Sequence, residues 1–244
     1  MTKHNTRFVA PAKKIIAGKG SSNLSIIIPA AGTSKKMKSY GSRSLIELKN
    51  GQNVIYRQLS ILSEVYPQAE IIVVLGFEAF KVLKHIPKNV RVVINHSYEE
   101  TSAVYSILLG LINAVNDNVL IVYGDLVFNH DAVDNIPSDT STVIVDSNNQ
   151  LHVDEIGVVI NDEQVSYFSY GVPVKWSQIL YLTGKELEAF KVLALTKEKQ
   201  KMFPFEVMNE VIEKIGNIPT LENKNARIVE IDIIKNVPEA INLC

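Results

Sequence analysis

The sequence predicts an α/β fold with a Rossmann-like, mixed and mostly parallel sheet flanked by helices. In the first half, short apolar runs alternate with segments whose apolar residues recur every three or four positions, as in strands joined by amphipathic helices. The apolar runs are continuous rather than alternating, which is typical of parallel strands buried on both faces. In the second half, strand-like runs mix with two further long helical segments.

The first half follows the order of a parallel sheet with right-handed crossovers. The predicted elements are a strand from Ser25, a helix over 54–65, a strand over 71–75, a short helix over 79–85, a strand over 90–94, a helix over 104–115 and a strand over 119–123. Ligands of such sheets bind beyond the carboxyl ends of the strands. Gly32 and Asp125 each follow one of these strands, so we expect them to converge.

The second half is predicted to add mixed sheet and helical cover. The predicted elements are strands over 142–145, 156–160 and 165–170, a hairpin turn over 161–164, helices over 185–195 and 205–215, a late strand over 228–232 and a terminal helix from Pro238. Residues 1–24 carry four lysines, one arginine and no acidic residue, and they are predicted to form a basic extension. Residues 25–244 are predicted to form a single domain.

Composition excludes several classes of protein. The formal net charge of -1 gives no general attraction to nucleic acid or to an acidic membrane. The only cysteine, Cys244, excludes an intramolecular disulfide and a cysteine-based zinc site. No apolar run approaches the roughly 20 residues that span a bilayer, and no signal-peptide pattern is present. We therefore expect a cytoplasmic protein without nucleic-acid or membrane partners, and its oligomeric state stays open.

The loop after the first strand is the most informative segment. It consists of Ala30, Ala31, Gly32, Thr33 and Ser34 and is followed by a cluster of cations at Lys35, Lys36, Lys38 and Arg43. The glycine allows a close approach to the backbone, whose N–H groups can bind an anion at the end of a buried strand. The sequence therefore predicts a phosphate site here, with Lys36 and Arg43 as candidate phosphate clamps.

Two aspartates are candidate ligands of Mg²⁺, which prefers oxygen and binds through one or two carboxylates plus substrate phosphates. Asp125 follows Gly124 at the end of an apolar strand, although a Gly-Asp pair can also simply form a turn. Asp232 lies in the late strand, where it and Glu230 can instead face solvent. Glu206 is a third candidate, whose alternative role is a favourable charge at a helix N-terminus.

Three further polar residues are candidates for ligand binding. Thr101 and Ser102 precede a helix and are suited to N-capping, but their hydroxyls would also face the ligand cleft. Lys175 can bind the phosphate of an acceptor or stabilise a turn. Other chemistries lack their patterns, because the five histidines are scattered and neither a nucleophile elbow nor a Walker loop is present. A single loop glycine also weakens a dinucleotide-binding interpretation.

These residues resemble the motifs of the sugar-phosphate and choline-phosphate nucleotidyltransferases. The family's Ala-Ala-Gly-x-Gly-[Thr/Ser]-Arg-[Met/Leu] motif corresponds to residues 30–37, and its Pro-Lys-x-Leu motif to residues 42–45. Residues 98–108 are similar to a Tyr-x-x-Thr-Asn…Ser-Leu segment of the choline-phosphate branch. The chain departs from the motifs at Ser34, Lys36 and Ser42-Arg43, and Ser102 replaces the asparagine of that branch.

The resemblance implies a nucleotide-diphospho-sugar transferase-like fold in which residues 25–130 bind the nucleotide and residues 131–244 the acceptor. It implies Mg²⁺ at Asp125 and Asp232, catalytic roles for Lys36, Arg43 and Asp125, and an acceptor-binding Lys175. Residues 30–34, Thr101, Ser102 and Gly124 would bind the nucleotide.

The implied reaction moves a nucleoside monophosphate from a nucleoside triphosphate, with CTP or UTP favoured, to a phosphorylated sugar or small alcohol. Pyrophosphate is released. Two alternatives remain open: a glycosyltransferase with a similar nucleotide-binding half, and a nucleotide-binding or assembly module with weakened catalysis. A glycosyltransferase of this type usually carries Asp-x-Asp at the metal strand, whereas this chain has Asp125-Leu126-Val127.

Overall fold

The computed structural model describes residues 23–33, 41–147, 151 and 155–243. Its strands are β1 (Leu24–Ala30), β2 (Glu70–Leu75), β3 (Arg91–Ile94), β4 (Asn118–Val122), β5 (Leu126–Phe128), β6 (Thr142–Asp146), β7 (Ile156–Asn161), β8 (Gln164–Tyr170), β9 (Val174–Leu182), β10 (Ile218–Leu221) and β11 (Ile228–Glu230). Its α-helices are α1 (Val54–Val65), α2 (Ala79–Val82), α3 (Ala103–Asn113), α4 (Gly184–Ala194), α5 (Pro204–Ile215) and α6 (Val237–Asn242).

Nine strands form one mixed sheet in the order β3-β2-β1-β4-β9-β6-β10-β8-β7. The first four neighbours in this order are parallel, and their carboxyl ends therefore lie at one edge. From β9 onward most pairings are antiparallel, although β10 runs parallel to β6. Helices cover both faces of the sheet, and the predicted fold class is confirmed.

The parallel half agrees with the sequence because its strands are buried on both faces. Ile27 packs in the core beneath α3, α4 and α5, whereas Ile26 and Ile28 pack with α1 on the opposite face. Since side chains alternate along a strand, a run of isoleucines serves both cores at once. The predicted 161–164 turn is also present, and Asp162 and Glu163 adopt the positive φ values of 50° and 60° that suit a tight hairpin.

Three strands were missing from the sequence prediction, namely β5, β9 and β10. β9 has nine residues and joins the two halves of the sheet between β4 and β6. Its alternation is broken at Gln178, which has a φ of 56°, and the β6–β9 register shifts between Val143 and Val145. Because an irregularity of this kind interrupts the period of two, the pattern in the sequence does not indicate a strand.

The described helices do not include one that combines the length and hydropathy needed to cross a membrane. The extension predicted for residues 1–24 lies almost wholly outside the described residues. The late strand is shorter than predicted, because β11 ends at Glu230 and Asp232 lies beyond it.

Gly110 is required where α3 crosses the sheet. A Cβ at this position would lie 2.5 Å from Cγ2 of Ile27, which is fully buried. We expect Gly110→Ala to lower the free energy of unfolding by about 1–3 kcal/mol through overpacking, in spite of the higher helix propensity of alanine. Urea denaturation measures the change, with the exposed Ile112→Ala on the same helix as the control. A stabilised Gly110→Ala protein would contradict the close helix–sheet contact.

Candidate active site

The backbone packs closely where the parallel strands end. A Cβ on Gly124 would lie 2.5 Å from Cβ of Ala30, and one on Gly76 would lie 2.7 Å from the carbonyl oxygen of Ala31. By contrast, no atom of the described residues would lie within 4 Å of a Cβ on Gly32. Among the described residues, the sheet edge is therefore tight around Ala30 and Ala31, and none of them fills the space beside the backbone of Gly32. Ser34 and Lys36 lie outside the described residues.

Arg43 lies at the start of a short 3-10 helix, Arg43–Leu45. The preceding segment is fixed by Glu78, whose Oε2 accepts a hydrogen bond of 2.9 Å from the backbone N–H of Ser42. From this position the Nη1 of Arg43 lies 2.6 Å from Oδ2 of Asp125. The same nitrogen donates to the carbonyl oxygen of Ile231 at 3.3 Å and lies 3.8 Å from Oδ1 of Asp232.

The two aspartates are brought together by a small second sheet. β5 directly follows Asp125 and pairs antiparallel with β11, with Glu230 opposite Leu126. One residue further on, the backbone N–H of Ile231 donates to the carbonyl oxygen of Asp125 at 2.9 Å. Asp125 and Asp232 thus both lie near the same guanidinium nitrogen of Arg43. We name the group of Arg43, Asp125 and Asp232 the Arg43 junction.

Glu230 lies beside this junction and is partly buried, whereas the sequence left open that it faces solvent. Burial, reinforced by the negative charge of Asp125, raises the pKa of Glu230 to about 7. A hydrogen bond with Gln178 and the positive charge of Lys175 act in the opposite direction. Gln178 is the residue with positive φ in β9, so the irregularity in that strand aims its amide at the carboxylate.

Lys175 lies near the start of β9 and forms an ion pair with Glu155, at 2.5 Å between Nζ and Oε1. It is also close enough to Glu230 to affect the pKa of that carboxyl group. The second half of the chain therefore places a lysine near Glu230, a neighbour of the junction. The sequence singled out Lys175 but not Glu155, with which it pairs, or Gln178, which bonds to Glu230, because neither belongs to a local pattern.

Only one of the two carboxylate oxygens of Asp125 has a partner among the described residues. Its Oδ2 faces Arg43, whereas its Oδ1 is buried and has no hydrogen-bond partner among the described residues. A buried carboxylate oxygen without a donor is costly unless a cation or a donor approaches it. Within the described part of the chain, no group of three or more His, Cys, Asp or Glu side chains forms a metal site on its own.

Thr101 and Ser102 stand at the amino end of α3. The hydroxyl of Ser102 accepts a hydrogen bond of 3.1 Å from the N–H of Val104, so its predicted capping role is confirmed. Ser102 also donates from its N–H to the carbonyl oxygen of Gln200 at 2.8 Å and from its hydroxyl to that of Met202. Thr101 donates to the carbonyl oxygen of Ser97 at 2.7 Å.

Glu206 has a capping contact. Its Oε2 accepts a hydrogen bond of 2.7 Å from the N–H of Phe203 at the start of α5. Asp232, in contrast, shares the guanidinium of Arg43 with Asp125. The geometry favours Asp232 over Glu206 as the acidic partner of Asp125.

Residues 26–149, just over half of the chain, match the model of the MobA-like NTP transferase domain. The chain belongs to this family. The predicted resemblance to nucleotidyltransferases and the predicted enzyme class are therefore confirmed. No curated protein sequence shows a significant match to the chain.

Solved structures of nucleotidyltransferases share the fold over nearly the whole chain. The CTP:phosphocholine cytidylyltransferase of Streptococcus pneumoniae is 18% identical, with a TM-score of 0.70, over 90% of this chain and 98% of that one. The inositol-1-phosphate CTP transferase of T. maritima is 16% identical, with a TM-score of 0.71, over 92% and 96%. A nucleoside-diphosphate-sugar pyrophosphorylase of Vibrio cholerae is 14% identical, with a TM-score of 0.69, over 89% and 99%.

Removal of Arg43 tests the junction independently of any activity. The side chains of Arg43 and Asp125 are only 19% and 12% exposed, so Arg43→Met leaves a largely buried carboxylate without its counter-charge. We expect the free energy of unfolding to fall by about 1–3 kcal/mol in urea denaturation.

The Arg43→Met/Asp125→Asn double variant removes both charges and should recover part of this loss. Lys191→Met, which breaks the surface pair with Glu188, serves as the control and should change stability by less than about 0.5 kcal/mol. Additive effects of the Arg43 and Asp125 substitutions would show that the two side chains do not interact.

Proposed function

We propose that this protein is a Mg²⁺-dependent nucleotidyltransferase that moves a nucleoside monophosphate from CTP or UTP to a phosphorylated sugar or small alcohol. The observation that carries the proposal is the Arg43 junction, whose Asp125 directly follows Gly124, the residue that packs against Ala30 in the first loop. A cation and two carboxylates at this position are suited to a metal-bound triphosphate.

The reaction requires positioning and charge neutralisation more than proton transfer. A phosphate oxygen of the acceptor attacks the α-phosphorus of the nucleotide in line, a new P–O bond forms, and the bond between the α-phosphorus and the pyrophosphate oxygen breaks. The acceptor phosphate is already ionised near neutral pH, so it needs no general base. Holding the two anions in line and neutralising the charge of the transition state together supply most of the rate enhancement in such a transfer.

The carboxylates of the junction fit a hard divalent cation. Asp125 and Asp232 would hold Mg²⁺, and the unpartnered Oδ1 of Asp125 is an oxygen suited to it. The ion would neutralise charge on the phosphates of the substrate. Arg43 fixes the other oxygen of Asp125 and, together with Lys36, would stabilise charge on the departing pyrophosphate.

The remaining candidate residues would divide between the two substrates. The backbone of residues 30–34, Gly124, and the hydroxyls of Thr101 and Ser102 would line the nucleotide site. Lys175, near Glu230 in the other half of the molecule, would bind the phosphate of the acceptor. CTP is supported by the names of two structural neighbours, a cytidylyltransferase and a CTP transferase.

The proposal predicts pyrophosphate release in a screen of the four ribonucleoside triphosphates. Each is paired with sugar phosphates, choline phosphate and related alcohol phosphates, in the presence of Mg²⁺. We expect release with CTP or UTP and one class of acceptor, and a loss of at least about 100-fold in kcat for Asp125→Ala, because a metal ligand and its charge are removed.

Asp117→Ala is the matched control, because Asp117 is an exposed aspartate that precedes β4 at its amino end, whereas Asp125 follows the carboxyl end. This variant should keep wild-type turnover. Normal turnover by Asp125→Ala would refute the metal assignment. Nucleotide binding with Mg²⁺ but without pyrophosphate release with any acceptor would favour a catalytically weakened binding module. The loss of turnover would then be attributed to the motif substitutions at Ser34, Lys36 and Arg43.

A further inference from the structure

Gln58 is a buried polar residue on the otherwise apolar inner face of α1. Its exposed fraction is 1%, and its neighbours on that face include Ile55, Leu59 and Leu62, which are also buried. An amide buried among aliphatic side chains is unfavourable unless it is hydrogen-bonded. The bonds that Gln58 makes therefore indicate why an amide stands at this position.

Both bonds go to the turn that carries Asp125. The Nε2 of Gln58 donates to the carbonyl oxygen of Tyr123 at 2.9 Å and to that of Leu126 at 2.7 Å. These two carbonyl groups lie on either side of Gly124-Asp125. A single side-chain nitrogen therefore connects both ends of the turn to α1.

The turn is the point from which the rest of the site is aligned. Asp125 contacts Arg43 through its side chain and Ile231 through its carbonyl oxygen, and Leu126 begins the strand that pairs with β11. A shift of the turn would move Asp125 and the segment around Asp232 together. Helix α1, which holds the Asp125 turn, is itself capped by Asn53, whose Oδ1 accepts a hydrogen bond from the N–H of Tyr56 at 3.0 Å.

We propose that Gln58 is a positioning residue for nucleotidyl transfer: it holds the Tyr123–Leu126 turn so that the carboxylate of Asp125 faces the metal-bound triphosphate. This assignment rests on the function proposed above. Gln58 does not touch substrate, and it acts through Asp125.

The role requires a neutral donor with two hydrogens at the length of glutamine. Methionine matches the volume but donates nothing, and a lysine would place a charge in an apolar interior. A glutamic acid that is protonated in this interior keeps the length and donates a single hydrogen bond. Gln58→Met and Gln58→Glu thus form a graded pair of variants.

Asn209 provides a matched control for a purely structural role. It is also an amide on a helix that bonds to the main chain of a strand, since its Nδ2 donates to the carbonyl oxygen of Phe168 at 2.9 Å and its Oδ1 accepts from the N–H of the same residue at 2.7 Å. These bonds join α5 to β8 and do not involve the Arg43 junction. Asn209→Leu should therefore reduce stability without a specific effect on the site.

The protein contains one tryptophan, which reports on the turn without any substrate. Trp176 packs edge-on against Tyr123, with ring centroids 5.7 Å apart. We expect Gln58→Met to change the emission maximum or quantum yield of Trp176 in the folded protein. The affinity for Mn²⁺ in the presence of nucleotide, followed by electron paramagnetic resonance, should fall about 10-fold, the order of loss when a residue that orients a metal ligand is removed.

In turnover assays, kcat should fall about 10- to 100-fold for Gln58→Met, as expected when a reacting group is misplaced by a fraction of an ångström, while KM for the nucleotide changes less than about threefold. Gln58→Glu should lie between wild type and Gln58→Met in Mn²⁺ affinity and kcat. If Gln58→Met does not fold, the comparison of Gln58→Glu with the wild-type protein in Mn²⁺ affinity and kcat decides the assignment.

Wild-type Mn²⁺ affinity and kcat in a folded Gln58 variant, with a stability loss like that of Asn209→Leu, would overturn the assignment. The proposed function can fail separately, if the wild-type protein releases no pyrophosphate with any substrate pair. In that case an unchanged Trp176 signal in Gln58→Met would refute the positioning of the turn, and a changed signal with weakened Mn²⁺ binding would support it.

Discussion

The ion pair between Arg43 and Asp125 is the interaction on which the rest of the site depends. Asp125 is largely buried, and a buried carboxylate is tolerated only when a counter-charge and hydrogen bonds surround it. Arg43 supplies that charge from the segment after the first loop, and it also reaches Ile231 and Asp232 near the C-terminus. One guanidinium thus joins three segments that are far apart in sequence, and the position of the candidate metal ligands follows from it.

Local patterns predicted the parallel half of the sheet well, because continuous apolar strands and amphipathic helices each have a characteristic period. The strands that the prediction missed, β5, β9 and β10, depend on contacts over long sequence distances or contain an irregularity. Gly124-Asp125 and the loop at Gly32 could be singled out in the sequence as candidate site segments because they follow strands, and the carboxyl ends of parallel strands share an edge. The environment of Glu230 could not be predicted from the sequence, since it is created by the pairing of β11 with β5.

The family match and the geometry answer different questions. Membership in the family of MobA-like NTP transferase domains gives the class of reaction, whereas the metal and acceptor sites are proposed from particular residues. Arg43 stands where the resembling motif has lysine, and its Nη1 contacts two aspartates and a carbonyl group. Gln58, a lone amide within an apolar helix face, was not predicted, because only the folded chain brings it to the Asp125 turn.

The central claim is that Asp125 and Asp232, although more than a hundred residues apart, serve one cation site. Its most direct test is the affinity of the protein–nucleotide complex for Mn²⁺, measured by electron paramagnetic resonance for Asp125→Asn, Asp232→Asn and Glu206→Gln. We expect both aspartate variants to lose at least about tenfold in affinity and the glutamate variant to keep wild-type affinity, because Glu206 caps α5. Wild-type affinity in Asp232→Asn, or a loss in Glu206→Gln equal to that in Asp125→Asn, would contradict the shared site.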